Sequence, residues 1–163
     1  MGEQIAIASD HAGFRLKESV KTWLADRSYS VLDLGTHTEE SCDYPDFAAA
    51  LAQALAAGKA GRGILICGTG VGMSMAANKF PHIRAAVCHD PTTARLSREH
   101  NDANVLAMGG RITGEAVAFD ILDVWLRTAF AEGRHSPRVA KINALSPPLK
   151  TSLFKGEGKG AGT

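Results

Sequence analysis

Gly63-Ile64-Leu65-Ile66-Cys67, followed by Gly68-Thr69-Gly70-Val71-Gly72, decides how the rest of the chain is read. The first five residues carry no charged or strongly polar side chain, as expected of a strand covered on both faces. A glycine-rich turn then leads into a short helix running through Lys79. Upstream the same alternation recurs. A strand at Ile5–Ala8 ends in Ser9-Asp10-His11, and a helix over Phe14–Asp26 places Leu16, Val20, Trp23 and Leu24 on one face. A second strand at Ser30–Leu34 stops at Gly35. After a polar loop, Pro45 suits the first turn of an Ala-rich helix that reaches Ala57, where Gly58 can end it. Downstream come a strand at Arg84–Cys88, a helix from Pro91 to His100, a strand at Asn104–Met108, a helix from Gly114 to Phe130 and a last helix from Pro137 to Leu145. Alternating strands and helices predict an α/β fold, a parallel sheet with helices on both faces. In such sheets ligands bind beyond the carboxyl ends of the strands. Asp10, His11, Cys67, His89 and Asp90 follow strand ends in this pattern.

The 163 residues suit one domain with a sizeable core. Apolar residues make up 45% and charged residues 21%, and the net charge is +1, so nothing points to nucleic acid or a membrane surface. Three cysteines, Cys42, Cys67 and Cys88, form no CxxC pair, which favours a reducing compartment over a disulfide framework. The start of the chain lacks a basic, then apolar, leader, and no stretch approaches the roughly 20 apolar residues that span a bilayer. The expectation is a soluble cytoplasmic protein. Residues 1–145 read as the domain. The segment 146–163 opens with Pro147-Pro148 and ends in Gly, Lys and small residues, which predicts an extension that is flexible or packed on a neighbouring subunit.

Glycines at 68, 70 and 72 let main-chain N–H groups turn toward an anion, and the helix beyond adds its positive end. A tight turn without a ligand explains the same pattern. Cys67 adds chemistry: a thiol at a strand end, facing a helix N-terminus, sits where negative charge is favoured. Cys88 has a similar strand context without glycines and reads as core. Tyrosine-phosphatase chemistry needs an arginine where Met73 stands. A dinucleotide fingerprint needs a different third-glycine spacing, although Asp90 stands at about the right distance for a ribose, so that alternative is weakened without being removed. A base that takes a proton beside a carbonyl needs an oxyanion site next to it, and the glycine turn supplies one. His37, His82 and His89 show no ligand spacing, so no metal site is expected.

Ser9-Asp10-His11-Ala12-Gly13-Phe14, Asp43-Tyr44-Pro45, Cys67-Gly-Thr-Gly-Val-Gly72, Ala77-Asn78-Lys79 and Ser97-Arg-Glu-His-Asn-Asp102 together resemble the ribose-5-phosphate isomerase B family, which also holds the galactose-6-phosphate isomerase subunits. The similarity runs from about Ile5 to Leu145. It implies a Rossmann-like three-layer α/β/α sandwich with a five-stranded parallel sheet. It also implies a homodimer or dimer of dimers with sites shared across the interface, a sugar-phosphate substrate, and no cofactor. Cys67 is then the base. Some members use a glutamate a few residues downstream instead, but Met73-Ser-Met-Ala-Ala offers no carboxylate here. The resemblance assigns Thr69 to a substrate oxygen, and Gly68, Gly70, Gly72, Asn78 and Ser74 to the enediolate. His100 opens the ring, and Asn101 binds a hydroxyl. Asp10 and Tyr44 orient His100 or hydroxyls, and His11, Arg134 and Arg138 hold the phosphate, with Arg111 a further candidate. His135 has no assigned role. Four- and six-carbon sugar phosphates remain alternative substrates, and a non-catalytic sugar-phosphate sensor is the alternative from another class.

Overall fold

A computed structural model describes residues 2–145; the 146–163 extension lies outside the described residues. Five strands form one parallel sheet: β1 (Gln4–Ser9), β2 (Ser30–Asp33), β3 (Arg62–Cys67), β4 (Ala85–Val87) and β5 (Val105–Gly109). Their order across the sheet is β2-β1-β3-β5-β4. The helices are α1 (Phe14–Ala25), α2 (Tyr44–Ala56), α3 (Val71–Ala77), α4 (Pro91–Asn101), α5 (Glu115–Arg127) and α6 (Ser136–Ala144), the last preceded by a 3-10 turn at Gly133–His135.

Strand alternation explains the layering. Ile5 and Ile7 of β1 face a core shared with Leu16, Val20 and Leu24 of α1, Ala94 of α4 and Ile121, Leu122 and Trp125 of α5. Ala6 and Ala8 face the opposite core, with Leu51 and Ala52 of α2 and Met73 and Ala77 of α3. Each large aliphatic side chain taken from water here contributes about 2 kcal/mol of transfer free energy. Lys17, a full charge in the interior, is held by ion pairs to Asp33 (2.7 Å) and Glu18 (2.6 Å). Burial pushes the Asp33 carboxyl up. Bonds from Lys17, Lys21 and the Gly35 N–H outweigh that and leave it below its ordinary value.

Because β1 is followed by β2 on one side and β3 lies on the other, the chain changes direction between β1 and β3. Their register, Ser9 beside Ile66, sets the loops after these two strands side by side. This is the crevice in which open parallel sheets bind ligands. The expected α5 end at Phe130 is corrected to Arg127: Thr128 is extended, its carbonyl accepts from Arg98 Nε, and the Ala131 N–H bonds Glu99 O.

Candidate active site

Cys67 closes β3, the central strand, paired with Gly109 of β5. It is 5% exposed, and its Sγ accepts a hydrogen bond from the Gly70 N–H at 3.1 Å. That amide can turn back because Gly70 adopts φ 81°; a Cβ there would lie 2.9 Å from the Met108 carbonyl carbon. The Thr69 hydroxyl accepts from the Val71 N–H at 3.3 Å, a local turn bond just before α3. The loop after β5 is stitched on by Gly110 N–H to Cys67 O (2.7 Å) and Arg111 N–H to Gly68 O (3.1 Å), which brings the Arg111 guanidinium alongside Gly68. Cys88 is different: it is fully buried, and burial pushes its thiol up to about 11, so it belongs to the core as expected.

The loop after β1 sits next to this turn. The Asp10 N–H donates to Ile66 O, and its buried carboxylate accepts from the Gly13 N–H at 3.1 Å. His11 Nδ1 accepts from the Cys42 N–H at 3.2 Å. Tyr44, at the start of α2, lays its ring on Gly72; a Cβ at position 72 would lie 2.8 Å from the ring. Asp10, His11, Tyr44, Cys67, Thr69, Gly68, Gly70, Gly72 and Arg111 therefore gather at the carboxyl ends of the strands.

Two expected members of this group do something else. The Ser74 hydroxyl donates to Val71 O (3.1 Å), back along its own helix rather than into the glycine turn. Asn78 engages both ends of its amide with the main chain of Ala85: Nδ2 donates to Ala85 O (2.9 Å), and Oδ1 accepts from the Ala85 N–H (2.8 Å). It braces the outer edge of β4 far from the thiol.

The remaining residues lie at the other end of the sheet. α4 returns antiparallel to the strands, so its last residues, His100 and Asn101, stand near the start of β4; Arg84 Nε donates to Asn101 O at 3.1 Å. The His100 and His135 rings stack with centroids 4.3 Å apart and planes 11° from parallel. Arg134 Nε approaches His135 Nε2 at 3.5 Å. Burial, then the charges of His100, Arg134 and Arg138, holds the His135 imidazole below its ordinary range. A cavity of about 350 Å³ nearby is lined by Asn78, Arg84, Asn101 and Ile142. A strand of five or six residues separates this pole from Cys67 by roughly 15–20 Å. Within one chain His100 and Asp10 do not meet.

Sequence reasoning left His135 without a role and passed over the main chain of Cys42. The signal for the first was its place between two arginines; the second carries no side-chain signal. Among the described residues no three His, Cys, Asp or Glu side chains converge as a metal site, and no helix is long and apolar enough to cross a membrane.

Comparison with known proteins places this geometry. Residues 5–142 match the Ribose/Galactose Isomerase family. The chain is 50% identical over 143 residues to ribose-5-phosphate isomerase B of Escherichia coli, covering 88% of this chain and 96% of that protein. It is 43% identical to D-erythrulose-4-phosphate isomerase of Pectobacterium atrosepticum, covering 85% and 91%. The Thermotoga maritima ribose 5-phosphate isomerase structure superposes with a TM-score of 0.87 at 50% identity, covering 89% of this chain and 100% of that one. With the family matched from β1 into α6, and a five-stranded parallel sheet common to the chain and its solved relatives, the chain belongs to the ribose/galactose isomerase family.

Proposed function

We propose that the chain interconverts ribose 5-phosphate and ribulose 5-phosphate in the cytoplasm, as a homodimer whose two sites are each built from both copies. The observation that carries the reading is the Cys67 thiol at the crevice between β1 and β3, with the Gly70 amide on its sulfur. The Gly70 amide holds the sulfur, and the first-turn N–H groups of α3 follow directly. A base next to such donors suits abstraction of a proton α to a carbonyl, because they stabilise the charge that develops on oxygen. Cys67 takes the C2 proton of the open aldose, and a hydroxyl proton passes from O2 to O1. The enediolate rests against the glycine turn and Thr69, and the thiol returns the proton to C1.

His100, Asn101, Arg134 and Arg138 come from a second copy. Support for this is the division of the site residues between two ends of one sheet, together with the exposed apolar side chains Tyr44, Val71, Met75 and Ile112 around the Cys67 pole. His100 moves the ring-opening proton, and the paired guanidinium groups clamp the phosphate with His11.

The test is Cys67→Ala. Turnover of ribose 5-phosphate falls by about a thousandfold, while binding of a non-reacting sugar phosphate, followed by calorimetry, stays close to wild type. Near-normal turnover removes the base assignment. The Pectobacterium relative named for erythrulose 4-phosphate supports a four-carbon substrate as the second reading. Comparing kcat/KM on four-, five- and six-carbon sugar phosphates decides between them.

A further inference from the structure

One nitrogen of the His11 ring, Nδ1, has a defined main-chain partner. Nδ1 receives the Cys42 main-chain N–H at 3.2 Å, and the Cys42 sulfur lies 3.9 Å from the same nitrogen. A nitrogen that accepts an N–H hydrogen bond presents its lone pair and carries no proton. In a neutral imidazole the single proton then stands on the other nitrogen, and the partner of one ring nitrogen determines which proton the other offers.

From this contact we infer that the 36–43 loop, through the Cys42 amide, locks His11 as the Nε2–H tautomer, so that His11 meets the substrate as a directed donor. The ligand that fits is an oxyanion, the phosphate of the sugar, which takes one hydrogen bond from Nε2–H. The charge of that phosphate is met by guanidinium groups. This inference rests on the proposed isomerase reading for its ligand, but the tautomer itself does not.

The loop has contacts of its own besides the one to His11. Arg15 on α1 reaches Glu39 through two hydrogen bonds of 2.8 and 3.0 Å, tying the loop to the helix that follows His11. Thr36 and Thr38 add local bonds of 3.2 and 3.3 Å.

The test is long-range proton–nitrogen NMR of the unliganded, histidine-labelled full chain. His11 should show a pyridine-like Nδ1 and a protonated Nε2. The opposite tautomer, or averaged nitrogens, overturns the inference. Cys42→Ala keeps the amide and keeps the pattern, whereas Cys42→Pro deletes the donor and averages the nitrogens. In kinetics on ribose 5-phosphate, His11→Gln, whose amide reaches the Nε2 position, raises KM less than His11→Asn, for which loss of the bond costs about tenfold. Equal effects of the two changes count against the Nε2–H donor. An inactive chain with the expected nitrogen pattern leaves the tautomer standing and removes the isomerase reading. An active chain with the wrong pattern does the reverse.

Discussion

Cys67 ends β3 and Cys88 follows β4, two strands with β5 between them, yet only the first sulfur has an amide pointed at it. The difference comes from one residue. Gly70 at φ 81° aims its N–H at Sγ while packing on the Met108 carbonyl. Gly70→Ala therefore combines left-handed strain with a backbone clash and costs roughly 2–4 kcal/mol, read as a lower denaturation midpoint. It should also lower kcat by moving the amide. Retention of wild-type stability would show that the turn relaxes freely. His135 gives a second prediction at this scale. Its folded imidazole is held below the ordinary range by burial and by neighbouring cationic groups, so as pH falls the unfolded chain binds its proton first. Its contribution to stability is intact above the ordinary histidine range and lost as pH drops through it. The melting temperature of the wild type should decline between about pH 7 and about pH 5.5, and His135→Asn should flatten that decline.

Among the elements, α3 and β4 show what a sequence pattern can and cannot carry. The Asn78 amide mimics a neighbouring strand for Ala85, whose N–H and C=O point away from β5 on the sheet edge. Asn78→Ala should destabilise the chain by about 1 kcal/mol, since the freed groups turn to water, with faster hydrogen exchange at Ala85 as the local readout. Unchanged exchange there would mean that the edge needs no brace. This role was not legible in Ala77-Asn78-Lys79, because it depends on a contact seven residues on that forms only after the chain has turned. The strands were legible, because runs such as Ile64-Leu65-Ile66 admit little else. Their order was not: β5 enters between β3 and β4 through long-range pairing that leaves no local mark. The end of α5 was overrun for the same reason, since Arg98 and Glu99 of α4 capture residues 128–131 and draw them out of the helix. Of the site, the Cys67 turn was visible because glycine spacing and a thiol are local. That His100 lies far from Asp10 in one chain was visible only once α4 was known to run back along the sheet.

For the whole molecule, the two poles make a quantitative prediction. Neither the Cys67→Ala chain nor the Arg134→Ala/Arg138→Ala chain isomerises ribose 5-phosphate by itself. Mixed, dissociated and reassembled at random, they form mixed dimers with one intact site each, so about a quarter of wild-type activity returns. No recovery, with exchange verified by mass spectrometry, would place all the chemistry within one copy. The stretch of sheet between Cys67 and His100 has one more consequence. With the site shared between two copies as proposed, a chain that holds its proton acceptor at one end and its ring-opening group at the other is idle until it meets another of its kind. Dilution alone should then silence the enzyme, with specific rate rising as protein concentration rises, and newly made copies staying harmless to the sugar-phosphate pool until they find a mate.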